Sequence, residues 1–560
     1  MNSTTRTRSI TRTLALVAAL IAIGAAVIPA PQTVLRGKAA KQSVIIQGSD
    51  SAELTAALAA VGAEIRKDLR IINAVSAELS SLQLDRLRSA HPELKIHADA
   101  AVETAAASLA TGNDNTSTIY ETERKLYDQG VPYLDFPDLV DADELHAMGV
   151  TVAILDSGID KDAAFISNPD KRPRVLGLYA SDSTAEGWGY DEFGHGSHVA
   201  SVLLNSAAST DGKFNSIAPY VNLVSVRAFD ARGSGTYSDV IDGLQWIWDN
   251  REAMNIRVLN LSFSAEPRSH YWDDPLNQAV MQLWHDGIVV VASAGNRGPD
   301  PMTIGVPGNL PYVITVGAMT DSFTPAEGSD DVLASFSSAG PTHEGFVKPE
   351  IVAPGGHLTG LTSPYSKLAQ EHPEYHFLGK YFTMSGTSQA TAVVSGIVSL
   401  MLQENPALSP DDVKCKLMSS ARPAVDKKGD LAYSIFQQGA GLVNAYDAVY
   451  SDASACANRG LDVAADLAGE VHFGGLANQN PDGSFYIEGL DGYFWNDTYF
   501  WNDAYFWSDA YFWSDGYFWS DAYFWSDTYF WNDTYFWNDA YLWSDTLSET
   551  ASVSSWVEQE

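Results

Sequence analysis

Three short segments place reactive side chains where a chain could use them. Val152-Ala153-Ile154-Leu155-Asp156-Ser157-Gly158 is an apolar run that ends in a carboxylate and a glycine. Gly194-His195-Gly196-Ser197-His198-Val199-Ala200 surrounds an imidazole with glycines at the start of a helical stretch. Met384-Ser385-Gly386-Thr387-Ser388-Gln389-Ala390-Thr391-Ala392 is a small-residue turn that runs into an apolar helix. Each has an ordinary explanation: a turn Asp, a helix His, a Ser N-cap. Together they supply an acid, a base that works near neutral pH and a hydroxyl at a helix N-terminus, where the dipole favours negative charge. That set performs nucleophilic acyl transfer, and the chain order Asp, His, Ser is one of those in which it occurs. Within these segments His198 reads as a structural helix residue, and Ser385 falls outside the nucleophile position.

Such residues need a rigid frame. From about residue 150, short β-branched runs (150–155, 221–226, 258–261, 288–293 and 312–316) alternate with helical stretches (198–205, 237–250, 275–286 and 387–403). This alternation predicts an α/β fold, a parallel sheet with helices on both faces, with functional residues at strand ends and the loops beyond.

The three segments resemble the signature blocks of the subtilisin family, and the resemblance covers about 150–449. It implies that Asp156 orients the imidazole, His195 is the general base and Ser388 the nucleophile. In the same way Asn296, in Val290-Val291-Ala292-Ser293-Ala294-Gly295-Asn296, would donate to the oxyanion together with the Ser388 backbone N–H. Gly233-Ser234-Gly235-Thr236-Tyr237 and Ser262-Phe263-Ser264 resemble the segments that bind a peptide substrate as an added strand. Tyr237 would line an outer subsite. Ser262, Phe263 and Ser264 with Ala294, Gly295 and Asn296 would wall the pocket for the side chain before the scissile bond, with a broad or apolar preference. The chain departs from the family at Ser197 (usually Thr), Ser201 (Gly), Gln389 (Met), Ala392 (Pro) and Ser264 (Gly). None of these removes a reacting group. The chemistry requires no cofactor; a structural calcium through scattered ligands is an expectation from the family alone, with no EF-hand-like loop to hold it.

The remainder reads as a precursor. Arg6, Arg8 and Arg12 precede an apolar run and small residues near Ala30, the order of a signal peptide (1–30). Residues 42–100 read as strand 43–48, helix 52–61, an extended stretch 63–80, helix 81–89 and strand 94–98. This small α+β unit fits an inhibitor and chaperone propeptide. A polar linker (101–135) leads to the catalytic domain (136–458), and a second linker spans 459–492. Cys415 and Cys456 could pair in an oxidising compartment or remain separate buried thiols.

From 493 to 546 the chain repeats every six residues, Tyr-Phe-Trp-Asn/Ser-Asp-Ala/Thr, with Leu542 breaking the Phe column; an acidic tail (547–560) follows. A six-residue period leaves no helical stripe but matches extended chain, in which Tyr, Trp and Asp share one face. Such a tail suits a surface or polymer ligand. The net charge of −36, with no Lys or Arg in 460–560, argues against nucleic acid as a partner. Two functions compete: a secreted or cell-surface endopeptidase that acts on peptides or proteins and is first held by its own propeptide, or a surface-binding repeat protein with a vestigial protease domain.

Overall fold

The computed structural model describes residues 41–103, 137, 140–142, 149–181, 190–209, 212–322, 331–427, 431–481 and 483–487. The expected signal peptide, most of the first linker, the hexapeptide repeats and the acidic tail lie outside the described residues.

The N-terminal unit is β1 (Lys41–Gln47), α1 (Ser51–Ala60), β2 (Ile65–Leu69), β3 (Ala74–Ser80), α2 (Ser81–Ala90) and β4 (Lys95–Ala98), with sheet order β2-β3-β1-β4. The stretch read as continuously extended is broken by a 3-10 turn at Arg70–Ile72, where Asn73 takes a left-handed conformation. Asp50 caps α1, and Ser80 with Gln83 forms a capping box on α2. Both helices bury leucines (Leu54, Leu58, Leu84, Leu87) against Val44, Ile46, Val75 and Leu79.

The sequence reading placed 101–103 in a linker, but these residues form β5 (Ala101–Glu103). The main sheet follows: β6 (Thr151–Asp156), β7 (Val175–Ala180) and β8 (Asn222–Arg227). Helix α3 (His195–Leu204) lies between β7 and β8. After the short β9 (Ser234–Thr236) come α4 (Tyr237–Asn250), β10 (Ile256–Leu261), α5 (Pro275–His285), β11 (Val289–Ser293), β12 (Ile314–Thr320), β13 (Val332–Leu333) and β14 (Ile351–Pro354). The strand order is β13-β12-β11-β10-β6-β8-β7, with β14 also paired to β12, and every pairing but β12–β13 is parallel. All six residues of β6 are buried, as a central strand covered on both faces requires. A three-stranded antiparallel sheet, β15 (Leu358–Leu361), β16 (His376–Phe377) and β17 (Tyr381–Met384) in the order β15-β17-β16, leads into α6 (Thr387–Glu404). This helix crosses the core, buried from Thr387 to Leu402.

The N-terminal unit rests on α4 and α5. Gln245 exchanges hydrogen bonds with Ile71 N–H and the Asp68 carbonyl. Lys67 meets Asp239 at 2.5 Å, Lys95 meets Asp273 at 2.6 Å, and Gln47 donates to Gln278. Asp99 accepts from Ser238 N–H and Ser238 Oγ, both at 2.8 Å, so its charge sits at the positive end of α4.

The second expected linker, 459–492, is folded as far as residue 487. It forms α8 (Val463–Leu467), β18 (Ala477–Gln479) and β19 (Phe485–Ile487), after α7 (Pro410–Ser420) of the main domain. Tyr271 and Tyr312 both donate to Asp466 Oδ2, and His472 stacks on Trp272 with ring centroids 4.7 Å apart. Short apolar elements with widely spaced anchors gave no periodic signal in the sequence. Cys415 of α7 is bonded to Cys456.

Candidate active site

Asp156, His195 and Ser388 sit at the C-terminal end of β6 and at the first turns of α3 and α6, the positions that strand–helix alternation predicts. Close approach depends on a missing side chain: a Cβ on Gly196 would collide with the Gly158 carbonyl and lie 3.2 Å from Asp156 Cβ. That contact brings the imidazole beside the carboxylate. His195 Nδ1 lies 2.8 Å from Asp156 Oδ1, with both side chains buried. A carboxylate accepts, so the proton belongs on Nδ1 and the Nε2 lone pair is left for chemistry. Ser157 N–H also donates to Asp156 Oδ1 at 2.7 Å.

Ser388 Oγ donates to the Ser262 carbonyl at 3.0 Å, and His195 Nε2 is buried with no hydrogen-bond partner. Asn296 is held by its oxygen, which accepts from Thr387 N–H at 3.0 Å and Thr387 Oγ1 at 2.9 Å. Its Nδ2 is buried and unpartnered, beside the turn that presents Ser388. An orphaned donor of this kind costs stability, and such groups collect where a ligand completes them.

Two residues that the sequence reading passed over hold this arrangement. Asp191, fully buried, accepts from Ser157 Oγ at 2.8 Å, Gly194 N–H at 2.7 Å and Ser197 N–H at 2.7 Å. It therefore pins the residue after Asp156 and the residue before His195 to one carboxylate. Burial pushes the Asp191 carboxyl up, and its backbone and hydroxyl donors pull it back. Arg227, at the end of β8, donates to the Tyr190 carbonyl and reaches Glu192, on either side of Asp191. Nearby Asp160 is pushed up to about 7, first by burial and then by the charge of Asp191. The signal that could have found Asp191 is an Asp three residues before a helix-starting glycine, the spacing of a side chain that caps backbone N–H groups.

The departures at Ser197, Gln389 and Ser201 have structural uses. Ser197 Oγ accepts from Asp160 N–H, Gln389 Nε2 lies 3.3 Å from His198 Nδ1, and Ser201 Oγ accepts from Leu361 N–H. His198 Nε2 faces the Phe382 and Leu358 carbonyls at 3.0 and 3.2 Å, and burial lowers its pKa to about 3. This is the structural role read for it. Ser385 Oγ accepts from His357 N–H, away from the nucleophile. Ser262 Oγ donates to the Ser388 carbonyl, and Phe263 packs edge-on to Phe229. Tyr237 is buried with its hydroxyl 3.2 Å from Asp274.

The expected substrate-flanking segment is already paired. β5 runs antiparallel to β9, with Ala101 opposite Thr236, Val102 opposite Gly235 and Glu103 opposite Ser234. Val102 is fully buried, and the Ala100 carbonyl accepts from Tyr237 N–H. No group of three or more His, Cys, Asp or Glu side chains converges as a metal site among the described residues.

The fold and its strand-end machinery define a subtilisin-like α/β enzyme. The Subtilase family profile matches residues 147–441, and the chain belongs to that family and to its serine-type endopeptidases. Serine protease AprX of Bacillus subtilis (strain 168) is 42% identical over 310 residues, covering 54% of this chain and 67% of that protein. Subtilisin DY of Bacillus licheniformis is 34% identical over 323 residues, covering 56% of this chain and 97% of that protein. Among solved structures, fervidolysin from Fervidobacterium pennivorans, a keratinolytic enzyme related to subtilisin, superposes with a TM-score of 0.54 at 21% identity. That match covers 74% of this chain and 61% of fervidolysin, and it bears on the fold alone.

Proposed function

We propose that the chain is a secreted endopeptidase made as a proprotein that cuts itself, with Asp156, His195 and Ser388 as its triad. The observation that carries this reading is the buried His195 Nε2, unpartnered opposite an Asp156-held Nδ1, together with the unpartnered Asn296 Nδ2. In this mechanism Ser388 Oγ exchanges the Ser262 carbonyl for His195 Nε2 as its acceptor. Nε2 takes the hydroxyl proton as Oγ attacks the peptide carbonyl carbon, and Asp156 stabilises the imidazolium. Asn296 Nδ2 and the Ser388 N–H receive the oxyanion. His195 then passes its proton to the leaving amine, and water, activated by the same nitrogen, hydrolyses the acyl-enzyme and restores Ser388. No cofactor enters these steps.

Residues 42–100 act as the inhibitor and chaperone in this reading. The support is their seat on α4 and α5 and the β5–β9 pairing, in which the strand that follows the unit lies along the segment expected to bind peptide. Export would use residues 1–30, and the repeats would hold a surface or polymer ligand. The complete set of Asp156, His195, Ser388 and Asn296 weighs against a vestigial protease. The test compares the chain without residues 1–30 with Ser388→Ala, by gel, N-terminal sequencing and casein hydrolysis. Self-cutting and casein loss in the wild type alone are expected. A wild type that folds but stays whole and inert sinks the reading.

A further inference from the structure

The pocket for the side chain before the scissile bond has a third wall that its sequence did not announce. Residues 304–306 are fastened to both expected walls. Ala265 and Val306 exchange backbone hydrogen bonds at 2.8 and 2.7 Å, and Gly305 N–H donates to the Ala294 carbonyl at 3.1 Å. Gly295 and Gly305 therefore border the same space, one from each side, and neither brings a side chain into it.

Ser264 occupies that space. A Cβ built on Gly305 would overlap Ser264 Oγ outright, and one built on Gly295 would lie 2.8 Å from the same oxygen. The hydroxyl therefore stands between two backbone walls, where the family usually has Gly and leaves room. Ser264 is 3% exposed and Ala294 is fully buried, so the Ser264 hydroxyl is set into the wall rather than pointing to solvent.

We infer that Ser264 is a specificity-determining residue that floors this pocket and restricts the residue before the cut to a small side chain: Gly, Ala or Ser. This deepens the peptidase reading and rests on it. It narrows the broad or apolar preference expected from the walls alone. The sequence around a candidate processing site is compatible with this preference. Beyond β5, the strand paired to β9, the sequence is Thr104-Ala105-Ala106-Ala107-Ser108, so a bond cut after any of residues 105–108 follows a small residue.

The test uses the full chain after self-processing, with Ala-Ala-Pro-Ala and Ala-Ala-Pro-Phe p-nitroanilides. The wild type is expected to favour Ala over Phe by at least about tenfold in kcat/KM, since a filled pocket discriminates by steric exclusion. Ser264→Gly is expected to move that ratio toward Phe by at least about tenfold. N-terminal sequencing of the processed chain is expected to place the cut after Ala, Ser or Gly. Equal or better hydrolysis of the Phe peptide by the wild type overturns the inference, and this reading does not depend on how any variant folds. A ratio unmoved by Ser264→Gly overturns it as well. Hydrolysis of neither peptide, with no labelling of Ser388 by a sulfonyl fluoride, instead removes the peptidase reading on which the inference stands.

Discussion

At the amino-terminal end of β12, Glu350 accepts from Lys348 at 2.7 Å, Lys414 at 2.8 Å and Thr315 N–H at 2.8 Å. The lysines spend their remaining donors on the Val313 and Pro311 carbonyls, Thr315 Oγ1 and Asn458. At the opposite ends of the strands, Asp156 Oδ2, His195 Nε2 and Asn296 Nδ2 are equally buried and have no partners. Both clusters carry the desolvation cost of buried polar groups. One is closed by its own neighbours. The other is left open, and in the proposed mechanism His195 Nε2 and Asn296 Nδ2 are the atoms that the substrate engages. A saturated cluster contributes to uniqueness and stability, whereas an unsaturated one stores cost where a reaction can recover it.

That contrast can be tested one residue at a time. Glu350→Gln leaves two buried ammonium groups without a carboxylate. A loss of about 3–5 kcal/mol in chemical denaturation, with kcat nearly unchanged below the transition, is expected. Asn296→Asp keeps the oxygen that holds Thr387 and replaces the open donor with an acceptor. It should lower kcat by about 10²–10³, the range seen for the corresponding Asn of subtilisin, with little change in the unfolding midpoint. If stability rather than rate falls, the two clusters do not differ in kind.

Asp191→Asn falls between them, because Asp191 is saturated yet holds the catalytic loops. One amide N–H would face a backbone N–H. A fall in kcat of about tenfold with a smaller change in KM, plus a loss of about 1–3 kcal/mol, is expected from steady-state kinetics and denaturation. A change in stability alone would assign it wholly to the scaffold.

The smallest effect concerns pH. The folded Asp160 pKa, about 7, lies above its ordinary value near 3.8, so the folded state binds more protons than the unfolded state between these values. Its contribution to stability therefore falls as pH rises from about 4 through 7 and is flat above. Asp160→Asn should remove that slope, as read from the thermal midpoint at successive pH values.

The segments carrying the proposed triad were legible because each has a local pattern: an apolar strand before Asp156, glycines around His195, a small turn before Ser388. What holds them was not. Asp191 acts through groups at 157, 194 and 197; its spacing to the helix-starting Gly194 hints at a cap, but its tie to Ser157 comes only from tertiary packing. The filling of the pocket by Ser264 depends on Gly305, a residue on a segment brought back by tertiary pairing. The α/β alternation gave the main sheet with shifted ends, such as 314–320 in place of 312–316. The segment 459–492 was read as a linker because its anchors, Asp466, His472 and Phe473, find partners some 150–200 residues away. Likewise β5 is a strand only because β9 is there to receive it.

The pairing of β5 with β9 has a kinetic consequence. While the chain is whole, that strand is delivered by a tether, and its effective concentration at the cleft is set by chain length rather than by the amount of protein in solution. A cut beyond Glu103 turns the same strand into a separate molecule, still seated by Val102, Asp99 and the α4–α5 contacts. If the chain is cut there as proposed, occupancy then follows mass action, so dilution below the dissociation constant would empty the cleft and a high local concentration would keep it filled.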